Sequence, residues 1–285
     1  MQITPAQTQL VILSPARSPA PMVFRNIAVD SRRYDQMLAA MQRLRGQVYL
    51  RDGAIQADQL APDRRHKLPV DEHSWHILLL DGGGQVGGCL RYLEEEIDSR
   101  FDELWIRQSA LARCPVWGSK FRRAVEMEMA RAWQKRIGFG VVGGWAIAEE
   151  RRRTIDPLRM VLTTCGLFRL LGGCAGLATA TVRHGSASIL RRIGLTPLTV
   201  DGLELPPYYD PRYRCQMEAL RFDSDFPSPK YAAAIEETSS RMELGPVICR
   251  EDYVPEWCGP LPVTGLPAAI PRAISSLQPA ISPAG

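Results

Sequence analysis

Two kinds of hydrophobic pattern alternate along the middle of the chain. Short apolar runs bounded by turn residues predict strands, and these occupy residues 23–29, 75–80, 86–93, 140–148, 177–182 and 214–222. Apolar residues at helical spacing predict helices, and these occupy residues 31–48, 121–137, 158–171 and 186–193. Hairpins mixed with strand–helix–strand connections are typical of a mixed sheet flanked by helices. The pattern therefore predicts an α/β or α+β fold.

The two ends of the chain differ in composition from this middle part. Residues 1–22 are rich in Pro, Ala, Gln and Ser, and we expect this segment to be disordered. Residues 259–285 have the same character, with frequent prolines. We therefore expect a folded domain over residues 23–225, followed by an appended segment and a Pro-rich tail over residues 226–285.

Composition and charge exclude several classes of protein. The net charge is +4, and the basic residues form no long block that would predict binding to nucleic acid. The 7 cysteines lack CxxC spacing, which fits the reduced thiols of a cytoplasmic protein. No apolar run reaches the ~18 residues of a membrane span. His73 and His76 have no further ligand nearby, so we expect neither a membrane span nor a metal.

A basic turn follows the predicted strand over residues 140–148. Arg151, Arg152, Arg153 and Thr154 lead into a helix that begins near Pro157. Backbone N–H groups at a helix N-terminus, together with guanidinium groups, suit a phosphate group. The turn is therefore a candidate phosphate site, and a solvated basic turn is the alternative.

Two further features of the pattern carry chemical information. Gly143 and Gly144 interrupt an apolar strand, where they either let a ligand approach the backbone or mark a kink or bulge. Arg45 lies on the apolar side of the first helix, which predicts a buried ion pair. Asp71 and Glu72 are its candidate partners.

Three stretches of the sequence together resemble a known family. They are Arg45-Gly46-Gln47-Val48-Tyr49, the hairpin that ends in Gly87-Gly88-Cys89-Leu90-Arg91, and the strand–helix–strand core that ends in the "ILRRIG" helix at residues 189–194. In this order they resemble the autoinducer (acyl-homoserine-lactone) synthases and the related N-acyl amino acid synthases of the GNAT acyltransferase superfamily. The resemblance covers roughly residues 24–222.

The resemblance implies a fold, a donor and a set of site residues. The sheet would be mostly antiparallel with a splayed central strand pair, 140–148 and 177–182. An acyl-CoA, or the phosphopantetheine of an acyl carrier protein, would bind as co-substrate, with no permanently bound cofactor. Donor-binding residues would be Val142, Gly143, Gly144, Trp145, Ala146, Ile147, Arg151, Arg152, Arg153 and Thr154. Substrate-binding residues would be Arg45, Tyr49, Asp71 and Arg91.

The sequence also departs from this family. The autoinducer synthases carry a Glu and an Arg in the strand that here reads Val141-Val142-Gly143-Gly144-Trp145, and Ile155-Asp156 stand where the family's phosphate loop has glycines. The strand departure argues against S-adenosylmethionine as acyl acceptor. We expect an N-acyltransferase that acts on an amino acid or another primary amine. A non-catalytic acyl- or CoA-binding protein and a thioester hydrolase are the alternatives.

An amine nucleophile must lose a proton, and the sequence leaves the base open. Glu149 and Glu150, at the end of the central strand, are candidates, as is His184 in a loop near the expected cleft. Glu126 and Glu128 on the preceding helix are alternatives.

The helix over residues 158–171 has apolar residues on more than one face. A tunnel for a long acyl chain would explain this excess, and burial by residues 226–258 would explain it equally well.

Overall fold

The computed structural model describes residues 8–96 and 98–250. Its helices are α1 Ser31–Arg51, α2 Gly118–Lys135, α3 Asp156–Leu170, α4 Ser186–Ile193 and α5 Pro229–Glu243. The longer strands are β1 Gln9–Leu13, β3 Trp75–Leu80, β4 Val86–Glu95, β5 Gly138–Ile147, β6 Cys174–Thr181 and β11 Cys215–Asp223. The shorter strands are β2 Ile27–Val29, β7 Thr196–Pro197, β8 Thr199–Val200, β9 Leu203–Glu204, β10 Tyr208–Asp210 and β12 Val247–Cys249.

One large mixed sheet organises these elements. Its strands lie in the order β10-β11-β6-β5-β4-β3-β1-β12-β2, and β7 pairs with the edge of β11. The pairs β5–β6, β1–β12 and β12–β2 are parallel, and the other pairs in this order are antiparallel. The predicted fold class, a mostly antiparallel mixed sheet flanked by helices, is confirmed. The four helices predicted from spacing are present, with boundaries within about three residues, and Asp30 caps α1.

Alternate side chains of the central strands bury against opposite helix layers, as the two-residue period of a strand requires. Leu78 and Cys89 pack with α1, whereas Ile77 and Leu90 pack with α3, α4 and α5. Helix α2 covers the other end of the α1 face, against Val141 and neighbouring strand residues. No helix that the structure describes is long and apolar enough to cross a membrane.

The central parallel pair separates part-way along its length. Strands β5 and β6 pair from Gly138↔Cys174 to Val142↔Ala178, and β5 then continues to Ile147 without β6 beside it. The predicted splay between these two strands is confirmed. It leaves one edge of β5 without a neighbouring strand over residues 143–147, where Tyr49 Oη donates to the Trp145 carbonyl at 3.5 Å and Arg152 Nε donates to the Ile147 carbonyl at 3.3 Å.

The N-terminal segment is more ordered than its composition suggested. Strand β1 lies inside the sheet between β3 and β12, with Val11 and Leu13 fully buried. The expectation of disorder over residues 1–22 is therefore wrong for this strand, because the apolar run outweighs the surrounding prolines. Residues 1–7 lie outside the described part of the chain.

The segment after residue 225 belongs to the same folded unit. Helix α5 packs on α3, and β12 lies between β1 and β2. A Cβ atom on Gly166 of α3 would lie 3.1 Å from the backbone nitrogen of Ser239 in α5, so the two helices touch backbone to backbone. The expected domain end at residue 225 is wrong. The apolar excess of α3 is covered by α5, and the predicted tail over residues 259–285 lies outside the described residues.

Candidate active site

A cavity of about 380 Å³ opens where β5 and β6 diverge. Its wall includes β5 from Val141 to Ile147 and β6 from Ala178 to Thr181. The C-terminal end of α1, the segment around Trp105 and the β10–β11 turn close the other sides. We call this cavity the cleft.

A buried ion pair supports the wall of the cleft. The Arg45 guanidinium donates to Asp71 Oδ1 at 2.9 Å and to Asp71 Oδ2 at 2.6 Å, and both side chains are fully buried. Gln42 and the Leu68 backbone N–H also donate to Asp71 Oδ2, each at 2.9 Å. Burial opposes ionisation, but the bonds and charge of Arg45 outweigh it and lower the pKa of Asp71 to about 2. Of the two acidic candidates for Arg45, Asp71 forms the pair.

Arg91 lies beside this ion pair, at the longest distance from Asp71 at which two charged groups count as paired. Its side chain is 4% exposed, and its Nη1 atom lies 4.0 Å from Asp71 Oδ1. Nε and Nη1 of Arg91 are buried and have no hydrogen-bond partner among the described residues. The guanidinium lies over the Trp105 ring, 5.7 Å from its centre. Arg91 therefore presents unsatisfied donors in the cleft wall.

The charges around Asp71 do not balance. His66 and His76 are neutral at neutral pH, because burial lowers the pKa of each to about 4. Arg45 and Arg91 carry two positive charges against the single negative charge of Asp71. The buried cluster therefore carries a net charge of +1. Outside it, Arg91 opposes the rise in pKa that burial gives the Glu95 carboxyl.

The glycine pair of β5 forms a bulge that makes room for these guanidinium groups. Opposite β4, Cys89 faces Ala146 and Arg91 faces Gly143, so β5 has one extra residue between these two pairs. Gly144 has φ +63°, and a Cβ atom on it would lie 3.2 Å from Arg91 Cβ and 3.5 Å from Arg45 Nη1. The bulge alternative for Gly143 and Gly144 is therefore present in the structure.

Aromatic side chains form much of the remaining wall. Tyr49 packs edge-on against Tyr213, with ring centres 6.0 Å apart, and tilts against His66 at 5.6 Å. Burial raises the pKa of Tyr49 and of Tyr213, so both phenols stay neutral. The Trp145 indole N–H is buried and has no acceptor among the described residues.

The predicted basic turn is largely neutralised by nearby carboxylates. Arg151 pairs with Asp156 at 3.0 Å, and Arg152 pairs with Asp52 at 2.5 Å. Asp156 N donates to Thr154 Oγ1, and Pro157 has no N–H, so the start of α3 offers fewer free donors than expected. Of the four residues of this turn, Arg152 alone lines the cleft; Arg151, Arg153 and Thr154 lie outside its wall.

The three candidates for the base differ in position. Glu149 has a 77% exposed side chain that pairs with Arg51, Glu150 is exposed, and neither lines the cleft. His184 does line the cleft. Partial burial lowers its pKa, Asp52 raises it, and the charges of Arg183 and Arg152 lower it; the net effect is a lowered pKa.

Sequence reasoning missed several residues of the cleft wall. They are Asp52, His66, Trp105, Arg183, Asp210 and Tyr213. All lie at an element end or in a connecting segment, where no periodic pattern indicates which way a side chain points. A polar residue next to a turn signal, such as Asp210 before Pro211, was the available hint.

Comparison with solved structures finds proteins with a similar fold. BjaI, a CoA-dependent acyl-homoserine lactone synthase, matches in its complex with SAM and isopentyl-CoA and in its complex with MTA, with TM-scores of 0.50 and 0.51. The match covers 86% of this chain and 94% of BjaI at 14% sequence identity. The fold is that of the acyl-homoserine lactone synthases. The resemblance seen in the sequence is thus confirmed at the level of the fold.

An N-acyl amino acid synthase, FeeM from uncultured soil microbes, superimposes less well. Its TM-score is 0.44 at 11% identity, over 77% of this chain and 92% of FeeM. No family model matches the sequence, and no curated protein is similar to it.

Proposed function

We propose that the protein is an N-acyltransferase that moves an acyl group from acyl-CoA, or from an acyl carrier protein, to the amine of an amino acid. The observation that carries this proposal is the cleft between β5 and β6. There an edge of β5 without a neighbouring strand lies beside Trp145 and Arg91, two residues of the cleft wall whose buried N–H groups have no partner among the described residues.

The open edge of β5 suits the donor's pantetheine arm. On that side, residues 143–147 of β5 have no neighbouring strand. The two amides of a pantetheine arm can pair with their backbone groups in an extended arrangement. Arg152 and Arg183, at the edge of the cleft, are the cations best placed for the donor's phosphates. We propose that Arg151, Arg153 and Thr154 help to shape this turn but do not contact the donor.

The charge of the Arg45–Asp71–Arg91 cluster selects the acceptor. A buried cluster with more positive than negative charge favours an anion, and Arg recognises carboxylates in particular. We therefore propose that Arg91 binds the carboxylate of an amino acid, while Arg45 and Asp71 position Arg91 and Tyr49 packs beside it. Structures of BjaI hold SAM or MTA; the apolar residues at 141–145 here lead us to expect a different acceptor.

The experiment is a thiol-release assay with purified protein. Acetyl-, hexanoyl- and dodecanoyl-CoA are each tested alone, with the twenty common L-amino acids, and with S-adenosylmethionine, and products are identified by mass spectrometry. The proposal predicts thiol release that depends on an added amino acid, together with an N-acyl amino acid product.

The other outcomes identify the alternatives. Release of free acid without an amine would indicate a thioester hydrolase, and tight thioester binding without turnover would indicate a non-catalytic binding protein. Acylation of S-adenosylmethionine in preference to every amino acid would contradict the proposed acceptor class. A matched series with acyl carrier protein donors then distinguishes the two donor types.

A further inference from the structure

We infer that Asp210 binds the ammonium group of the acceptor and takes up its proton, an inference that rests on the proposed function. The sequence analysis did not single out this residue. It stands at the end of β10, lines the cleft, and is 2% exposed.

The Asp210 carboxylate is buried without a counter-ion. Its Oδ1 atom accepts a hydrogen bond from the Arg212 backbone N–H at 2.9 Å, and it forms no ion pair with any described residue. Buried carboxylates are nearly always paired with a cation, because an isolated charge costs several kcal/mol to remove from water. An ammonium group of a ligand in the cleft would supply the missing cation.

The nearest guanidinium groups are engaged elsewhere. Arg212 donates from Nη2 to the carbonyl oxygen of Gln108 at 2.7 Å. Arg183 donates from Nη2 to the carbonyl oxygen of Asp52 at 3.0 Å. The other titratable neighbours are Tyr208, Tyr213 and Cys215, whose pKa values burial raises, so that they remain neutral. Asp210 is therefore the one negative charge in its immediate surroundings among the described residues.

The hairpin holds this carboxylate in a fixed place. Asp210 pairs with Cys215 across the β10–β11 ladder, and the bond from Arg212 N closes a local turn around its side chain. A group held by a ladder on one side and a turn on the other is positioned before the ligand arrives. Such positioning is what a general base requires.

Asp210 and Arg91 are complementary ends of one site. The first is a buried anion without an ion pair, the second a buried cation without a hydrogen bond, and the charges of both act on the Tyr213 phenol. An amino acid carries an ammonium and a carboxylate group. The cleft thus offers one recognition group for each end of a zwitterion.

His184 is less suited to receive an ammonium group. Burial lowers the pKa of His184, Asp52 raises it, and Arg183, Arg152 and Arg51 lower it, so that cations outnumber the one carboxylate that acts on it. This cationic environment repels an amine that arrives protonated, whereas it suits the phosphates of the donor.

The chemical step balances with these groups. The acceptor's ammonium gives one proton to the Asp210 carboxylate, which passes it to water. The amine lone pair then attacks the thioester carbonyl carbon and forms the C–N bond. The C–S bond breaks, the thiolate leaves with its electron pair, and the second proton lost from nitrogen converts it to the free thiol. No oxidant or further co-reactant is needed.

The test compares Asp210→Asn with the unmodified full-length chain. Asn keeps the acceptor atom for the Arg212 N–H but removes the charge. With hexanoyl-CoA and the best amino acid of the twenty, we expect kcat/KM for the amino acid to fall at least about 100-fold. The affinity for hexanoyl-CoA, measured by tryptophan fluorescence, should stay within about twofold, because the donor contacts other residues. Asp201→Asn, in an exposed turn, is the control and should retain full activity.

A further comparison separates a base from a structural residue. Hydroxylamine is largely unprotonated at neutral pH and needs no base, so Asp210→Asn should lose much less activity toward hydroxylamine than toward the amino acid. An equal loss with both nucleophiles would overturn the inference. A large loss in His184→Asn with little loss in Asp210→Asn would also overturn it, since the proton would then go to His184.

One measurement needs no variant, and it decides the matter if Asp210→Asn fails to fold. In the unmodified protein, the des-amino analogue of the best amino acid should inhibit at least about tenfold more weakly than the amino acid binds, because it cannot pair with Asp210. Equal affinity would contradict the inference. If no amine is acylated by the unmodified protein, the proposed function itself fails, which is a separate result.

Discussion

Arg91, which lines the cleft, and its neighbour Arg45, which does not, have the same chemistry but opposite energetic roles. Arg45 is buried with a bidentate carboxylate partner, whereas Arg91 is buried without a hydrogen bond. The helical phase of α1 was enough to predict the first, since Arg45 falls on the apolar side. No comparable pattern predicts Asp210, because the burial of a residue at a strand end depends on the loops that cover it.

This difference predicts opposite effects of the same substitution. Arg91→Met should raise the free energy of unfolding by about 1 kcal/mol or more, because it removes a desolvated charge, while abolishing acylation of the amino acid. Arg45→Met should lower it by about 3–5 kcal/mol, because Asp71 is then buried without its partner. Chemical denaturation and the thiol-release assay measure both. A destabilised Arg91→Met would mean that Arg91 is structural rather than reserved for a ligand.

Buried histidine gives the fold a measurable dependence on pH. The pKa of His76 falls from 6.5 to about 4 in the folded protein, so the unfolded chain binds more protons between these values. Stability should therefore decrease as pH falls from 6.5 to 4, by about 3 kcal/mol for this residue.

The variant His76→Gln tests this dependence. Its unfolding free energy should fall less steeply over the same pH window, since one of the two buried histidines is gone. His73→Gln, at an exposed position three residues away, is the matched control and should follow the unmodified protein. Parallel curves for His76→Gln and the unmodified protein would contradict the assignment of a buried neutral His76.

At the level of elements, the hydrophobic pattern predicted the central strands and four helices well. It could not choose between a ligand contact and a bulge at Gly143-Gly144, because both need a residue without Cβ. It also missed β1, since four apolar residues among prolines and polar residues are a weak signal until partner strands are known. The register of β4 against β5 identifies the bulge, which the pattern alone could not.

Gly144 and Gly84 provide a matched pair for the bulge. Both have positive φ, but a Cβ on Gly144 meets Arg91 and Arg45, whereas a Cβ on Gly84 meets no atom within 4 Å. Gly84→Ala should cost only the backbone strain, about 1 kcal/mol, and leave activity unchanged. Gly144→Ala should cost more and also reduce acyl transfer at least about tenfold, because Arg91 is displaced. Equal effects of the two substitutions would show that the bulge does not position Arg91.

On the scale of the whole molecule, the cleft depends on long-range organisation. Strands β5 and β6 diverge in the middle of a sheet that includes residues from both ends of the described chain, β1 and β12. The sequence resemblance predicted the splay but placed the domain end too early, because it extends only to residue 222 and so stops before α5 and β12. The cleft is thus a property of the complete sheet rather than of one motif.

Hydrogen exchange of β5 in the presence of a donor analogue tests the central claim most directly. The probe is a thioether analogue of hexanoyl-CoA, which cannot transfer its chain. Because its pantetheine arm would pair with the open edge, those amides of residues 143–147 that point away from β4 should exchange at least about tenfold more slowly when it is bound. Amides of residues 138–142, already paired with β6, should change little. Saturation by the analogue with no slowing in residues 143–147 would contradict the account.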